Sequence, residues 1–208
     1  MFEQELKLTA PDEETLRAVL SSSVVSDACI DASNSGWPLE PQQFLARYYD
    51  TQDLELARNM ISLRARREGS QFRAALKMKG VMLDGLSQRQ EFECDITDWL
   101  SCAADLPECT LKSKALKCIA PDRPLIQRVG VDMQRTIRWL EFQGAKIELV
   151  TDHALISGKN GQATLYEVEL ELKQGEVDAI VNLGNLLTSQ FSLTPSTQTK
   201  YGIGLSLS

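Results

Sequence analysis

Apolar and polar residues alternate with a period of two through most of the chain, the spacing of half-buried β-strands. In the opening MFEQELKLTA, Glu3, Glu5 and Lys7 share one face, while Phe2, Gln4, Leu6 and Leu8 share the other. The same reading predicts strands at YYDT (48–51), MISLRAR (60–66), FRAALKMK (72–79), RQEFECDI (89–96), VDMQRTIRWL (131–140), AKIELVTD (145–152) and TLYEVELELK (164–173). Glu68-Gly69-Ser70 predicts a hairpin turn, with further turns at Asp84-Gly85 and Gly158–Gly161. Thr9 to Glu14 reads as a helix start with a threonine cap, Pro11 in the first turn and early acids, the helix running to about Val25. Residues 31–42 predict a loop, 97–118 helical or irregular chain broken at Pro107, and 175–191 a last helix followed by a tail. Seven or eight antiparallel strands with few helices predict an α+β fold whose sheet closes into a barrel or curves strongly.

The faces of these strands differ in kind. One face carries Glu3, Glu5, Lys7; Ser62, Arg64, Arg66; Arg73, Lys77, Lys79; Arg89, Glu91, Glu93, Asp95; Arg135; Lys146, Glu148, Asp152; and Glu167, Glu169, Glu171. The opposite faces are apolar, among them Leu63, Leu76, Phe92, Leu149 and Leu170. Two architectures fit: a sandwich with its charges in water, or a closed sheet with charges lining a wet lumen and helices covering an apolar exterior. Charge sign favours the second. Glu167, Glu169 and Glu171 form a run of acids on one face, and Arg64 and Arg66 pair without an acid between them, so each group calls for a partner of opposite sign. Hard divalent cations take carboxylate oxygens, and condensed phosphates suit forked guanidinium groups.

Composition narrows the function classes. The 208 residues, 43% hydrophobic and 25% charged, are enough for one core and show no repeat, linker or low-complexity tract. The chain shows no apolar run of membrane-spanning length, and its N-terminus is acidic where a signal peptide is basic, so a cytoplasmic protein without membrane partners is expected. Five cysteines with no C-x-x-C pair predict reduced thiols, and the single histidine, His153, argues against zinc and against Ser-His or Cys-His catalysis. A net charge of −7 disfavours nucleic acid. Its distribution points to a local anion site, because residues 58–79 hold seven bases to one acid while 166–178 hold five acids to one base. Glu91 and Glu93 are expected as counter-ions for neighbouring arginines, Arg73 and Lys79 as surface charges or ligands alike, and His153 as a loop residue. Arg138 faces away from Arg135, and Trp37, Trp99 and Trp139 are expected to pack rather than stack on a base.

The ordered set of motifs resembles the CYTH domain, or triphosphate tunnel metalloenzyme, family. It comprises E-x-E-x-K (Glu3, Glu5, Lys7), L-R-x-R (Leu63 to Arg66), L-K (Leu76, Lys77), R-x-E-x-E (Arg89 to Glu93), Arg135, Asp152, E-x-E-x-E (Glu167 to Glu171) and Lys200. The resemblance spans nearly the whole chain and implies an eight-stranded antiparallel closed barrel with a charged lumen. It also implies that Glu3, Glu5, Asp152, Glu167, Glu169 and Glu171 hold Mg²⁺ or Mn²⁺, and that Lys7, Arg64, Arg66, Lys77, Arg89, Arg135 and Lys200 cradle a triphosphate. Glu5, Lys7 and Glu169 would stand at the reacting centre. YYDT, LRAR, RTIRWL and YEVELEL look like the bacterial inorganic triphosphatase branch. Adenylyl cyclase of class IV type, thiamine or nucleoside triphosphatase and a non-catalytic polyphosphate-binding module are the alternatives. That branch often carries a following helical CHAD domain. Residues 1–208 are expected to form one CYTH domain, and both a single-domain member and a shortened chain fit. The sequence leaves the oligomeric state open.

Overall fold

A computed structural model of the chain describes residues 2–30 and 40–207. Residues 31–39 of the expected loop, with Trp37, lie outside the described residues. Strand β1 (Phe2–Ala10) is followed by α1 (Glu13–Leu20) and α2 (Ser23–Ala28), then β2 (Gln42–Asp50), α3 (Glu55–Arg58), β3 (Ser62–Glu68), β4 (Gln71–Leu83) and β5 (Leu86–Ile96). A short 3₁₀ turn (Ala103–Asp105) and α4 (Thr110–Ala115) lead to the long strands β6 (Ile126–Phe142), β7 (Ala145–Ser157) and β8 (Gln162–Gln174). Helix α5 (Val177–Gln190), a two-residue strand β9 (Thr194–Pro195) and α6 (Lys200–Ser206) complete it.

The order β5-β4-β3-β2-β6-β7-β8-β1 closes when β1 pairs with β5 as well as with β8, so eight antiparallel strands form a barrel. Closure leaves these strands no free edge. Glu3 opposes Arg89 across one seam and Lys7 opposes Glu169 across the other, which sets the lumen chemistry by register alone. Gly69, with φ +60°, makes the expected hairpin turn. A register shift between Lys77 and Gly80 kinks β4 against β5. There a Cβ on Gly80 would meet the Gln88 carbonyl at 2.2 Å, so the close approach requires glycine. Lys79 falls in this irregularity and is exposed, although its parity matches that of Lys77.

Apolar side chains pack outside the barrel, as the alternation predicts. Leu6, Leu8, Leu149, Val168 and Leu170 are covered by Leu16 and Val19 of α1, Val25 of α2 and Ile180, Leu183 and Leu187 of α5. On the other flank Leu63, Ala65, Ala74 and Leu76 are covered by Leu56 of α3 and Leu111 and Ala115 of α4. The expected first helix is instead two: Asp12, not Thr9, caps α1 by accepting from the Thr15 N–H at 2.8 Å, and Ser22 starts α2 after a break. Thr9 belongs to β1, because its backbone completes the ladder with β8. His153 is a strand residue of β7 whose ring lies 4.7 Å from that of Tyr166, not a loop residue.

A third apolar cluster lies inside the barrel. Phe44, Ala46 and Tyr48 of β2, Val129, Val131 and Met133 of β6 and Ala154 and Ile156 of β7 point inward and meet Tyr201 of α6. Helix α6, expected only as tail, thus closes one end of the lumen. Thr199 caps it through the Gly202 N–H at 2.9 Å, and Tyr201 stacks on Tyr48 at 5.2 Å. A Cβ on Gly204 would come within 2.2 Å of Val129. Gly204→Ala is therefore expected to cost about 1–3 kcal/mol through overpacking, measured by chemical denaturation.

Candidate active site

The inward residues of all eight strands enclose a cavity of about 220 Å³ between the α6 end and the N-terminal end of β1. Its walls include Glu3, Glu5, Lys7, Arg64, Arg66, Lys77, Arg89, Arg135, Glu169, Glu171 and Lys200. Asp152 is fully buried and Glu167 is 1% exposed, both contacting the lining Lys200. Every residue expected at the site therefore converges on one lumen. Burying an ion alone costs several kcal/mol, so the pairing within the lumen decides what it can hold.

One group gathers on β7 and β8. Oxygens of Asp152, Glu167 and Glu169 lie within 4.8 Å of one another. Arg135 grips Asp152 bidentately, at 2.7 and 2.6 Å, and reaches Glu169 at 3.2 Å. Lys7 Nζ is 2.7 Å from Glu169 and 3.6 Å from Glu5. Lys200 Nζ is 2.9 Å from Asp152 and 3.2 Å from Glu169, and also contacts Glu167. Burial alone would raise the Glu169 carboxyl, but Lys200, Lys7 and Arg135 hold it well below its usual range. Burial wins at Glu167, whose carboxyl is pushed up to about 7 against the pull of Lys200 and Lys7.

A second group lies toward the N-terminal end of β1. Glu3 accepts from Lys77 at 2.7 Å and from Arg89 at 2.9 Å, and Arg89 also donates to Glu5. Glu171 pairs with Lys173 at 2.8 Å, apart from the β7–β8 acids, and burial raises its carboxyl to about 7. Glu91 lies 3.2 Å from Lys77 and 3.8 Å from Arg64, the counter-ion role expected of it. Arg73, which the sequence leaves open, lines the cavity, as do Glu148 and Lys173, which sequence reasoning missed. Parity already put Glu148 on the charged face, and Lys173 continues the Glu167–Glu171 face by two residues. Tyr48 and Tyr201 were missed as well, for want of any signal that the tail returns to the lumen.

The third group is basic. Arg64, Arg66 and Arg135 converge beside Phe44, with the Arg66 and Arg135 guanidinium carbons 5.2 and 5.8 Å from its ring. The Nε atoms of Arg64 and Arg66 are buried and have no hydrogen-bond acceptor. Burial, then Arg64 and Arg135, depress Arg66 to about 10. Glu68 is an ion-pair partner of Arg66, Glu91 and Glu93 lie 3.8 Å from Arg64, and Asp152 and Glu169 hold Arg135, yet the two Nε donors find no acceptor among these acids.

The acids at about 7 give a pH prediction. Against an ordinary value of 4.5, Glu167 and Glu171 keep protons in the folded state that the unfolded chain has released. Between these values the folded state binds more protons, so stability falls as pH rises through the window. Asp152 and Glu169, displaced downward, act in the opposite sense only below the ordinary carboxylate range. The melting temperature of the metal-free protein is expected to decline from pH 4.5 to 7, and Glu171→Gln to flatten part of that decline.

Residues 1–200 match the CYTH domain. The chain belongs to the CYTH domain family. A curated relative of this CYTH chain, an inorganic triphosphatase of Haemophilus influenzae, is 27% identical over 158 residues, covering 74% of this chain and 42% of the relative. The chain thus spans less than half the length of that relative. Among solved structures, a Hippeastrum protein proposed as an adenylyl cyclase and described as revealing a dominant triphosphatase activity aligns with a TM-score of 0.70 at 16% identity, covering 98% of this chain and 95% of that one. The PH1819 protein of Pyrococcus horikoshii aligns at 0.59 and 16% identity, covering 98% of both. At such identities the likeness shows a shared fold. The described residues include no helix long and apolar enough to cross a membrane.

Proposed function

We propose that this CYTH domain hydrolyses inorganic triphosphate to diphosphate and phosphate with a divalent cation, Mg²⁺ or Mn²⁺, and works in the cytoplasm. The observation that carries the reading is the basic cluster. Arg64, Arg66 and Arg135 crowd together with two buried Nε donors unpaired and Arg66 depressed to about 10, which is the state of a site built around an anion. An anion spanning these guanidinium groups would restore the missing acceptors. Lys77, Arg89 and Lys200 extend the same contact along the cavity, each now paired with a carboxylate.

The acids fit a hard cation. Asp152, Glu167 and Glu169 supply oxygen donors only, within 4.8 Å, and already surround the ammonium of Lys200. Glu3, Glu5 and Glu171 extend this acidic wall toward the N-terminal end of β1. A bound divalent cation would neutralise phosphoryl charge and acidify an attacking water. The chain's own part is to hold the phosphates in line with Arg64, Arg66 and Arg135, to exclude bulk water by the α6 closure, and to offset charge on the reacting oxygens through Lys7, between Glu5 and Glu169. The small cavity with charged walls supports an inorganic chain over a bulky ester. Tyr48 and Tyr201 are stacked on each other, so the aromatic face each turns to the other is not open to a base.

Phosphorus NMR of the protein with Mg²⁺ and, separately, triphosphate and ATP tests this. Orthophosphate and diphosphate from triphosphate are expected. Cyclic AMP with pyrophosphate from ATP would establish a cyclase instead, and binding of triphosphate without products a sensor.

A further inference from the structure

Lys200 holds an unusual position among the lumen cations. It reaches the site from α6 and not from a strand, and its ammonium contacts all three acids of the β7–β8 cluster. Its ammonium donates to Glu167 and Glu169 and makes an ion-pair contact with Asp152. Of the other two cations, Arg135 is pinned by a bidentate pair to Asp152, and Lys7 is in ion-pair contact with Glu169 and Glu5 while Glu167 acts on it from beyond contact distance. Among the described residues, Lys200 is therefore the cation in ion-pair contact with all three acids whose oxygens lie within 4.8 Å.

We propose that Lys200 is a resident counter-ion of the divalent-cation site, occupying it until Mg²⁺ or Mn²⁺ binds and then turning toward the phosphates. A divalent cation and an ammonium cannot share contact distance with the same three oxygens, because like charges that close repel strongly in a buried site. The lysine stem is flexible, whereas its anchor is not: Thr199 caps α6, and Gly204 packs the helix against Val129. Release of the ammonium thus leaves the backbone in place and points the side chain into the cavity shared with Arg64 and Arg66. The exchange couples two ligands through one side chain. The metal must displace Lys200, and the freed ammonium adds a donor for the triphosphate, so each ligand favours the other. The first half of this exchange needs only the cation and the three acids; the second rests on the triphosphatase reading.

Calorimetric titration with Mn²⁺ alone compares the wild type with Lys200→Met, which keeps length and removes charge. The variant is expected to bind Mn²⁺ about tenfold more tightly and to lose the enhancement of Mn²⁺ affinity that added diphosphate gives the wild type. In wild-type protein carrying ¹⁵N at lysine side chains, the Lys200 ammonium resonance is expected to shift as Mg²⁺ saturates the site, a reading that does not depend on the variant folding. Equal or weaker Mn²⁺ binding by a folded Lys200→Met, or an unmoved ammonium resonance at saturation, overturns the exchange. If triphosphate is still hydrolysed in that case, the functional reading stands without it. Failure of the wild type to bind Mn²⁺ at all overturns both.

Discussion

Glu169→Gln is expected to lower metal-dependent triphosphate turnover by about 10²–10³-fold while the barrel stays folded, the scale of losing one preorganised electrostatic group. Glu169 is where the acidic and basic halves of the lumen meet, contacting Lys7 at 2.7 Å and Lys200 and Arg135 at 3.2 Å. The amide keeps the side chain's shape and one acceptor oxygen but removes the charge that a divalent cation and these three bases share. Asp152 and Glu167 remain to balance Lys200 and Arg135, so the circular dichroism spectrum should be retained. Glu5→Gln should also abolish turnover, through its place beside Lys7 and Arg89. Unimpaired hydrolysis in both variants would refute the assignment of these acids to the metal.

Asp152→Ala is expected to be the most destabilising single change in the lumen, by about 3–5 kcal/mol, the cost of stranding the partner of a buried ion pair. Asp152 is fully buried and is held by two Arg135 bonds and by Lys200. Burial works against its ionisation, but Arg135 and then Lys200 lower its carboxyl. Its stabilising contribution is therefore present above the ordinary carboxylate range and lost as pH falls through it. Urea denaturation at neutral pH should show the full loss, and the gap to wild type should narrow in acid.

Much of this lumen was legible because strand parity is a two-valued code. Once Glu3, Glu5 and Lys7 are assigned to one face, the same alternation carries Arg64, Arg66, Arg89, Arg135 and Glu167 to Glu171 inward; the structure brings these residues to one cavity wall, except Glu167, which is buried against the lining Lys200. Where the ladder is irregular the code fails. Lys79 has the parity of a lumen residue but lies in the Lys77–Gly80 register shift, which nothing in the local sequence announces apart from Gly80. Long-range placement was also hidden. TKYGIGL reads as tail because two glycines depress helix propensity, yet Gly204 is what lets the segment approach Val129 and become the closing helix α6. The pairing of charges likewise depends on register across strands far apart in sequence. Glu167, Glu169 and Glu171 read as a single metal-binding run, whereas the fold gives the first two to Lys200 and Lys7 and the third to Lys173.

The central claim is that a condensed phosphate and a divalent cation occupy opposite walls of this lumen. A crystal structure of the protein with triphosphate and Mn²⁺, with the metal located by its anomalous signal, tests that claim most directly. The account predicts manganese among Asp152, Glu167 and Glu169 and phosphate oxygens on Arg64, Arg66 and Arg135. Manganese and triphosphate bound on the outer surface, with the ion pairs of the lumen undisturbed, would contradict it.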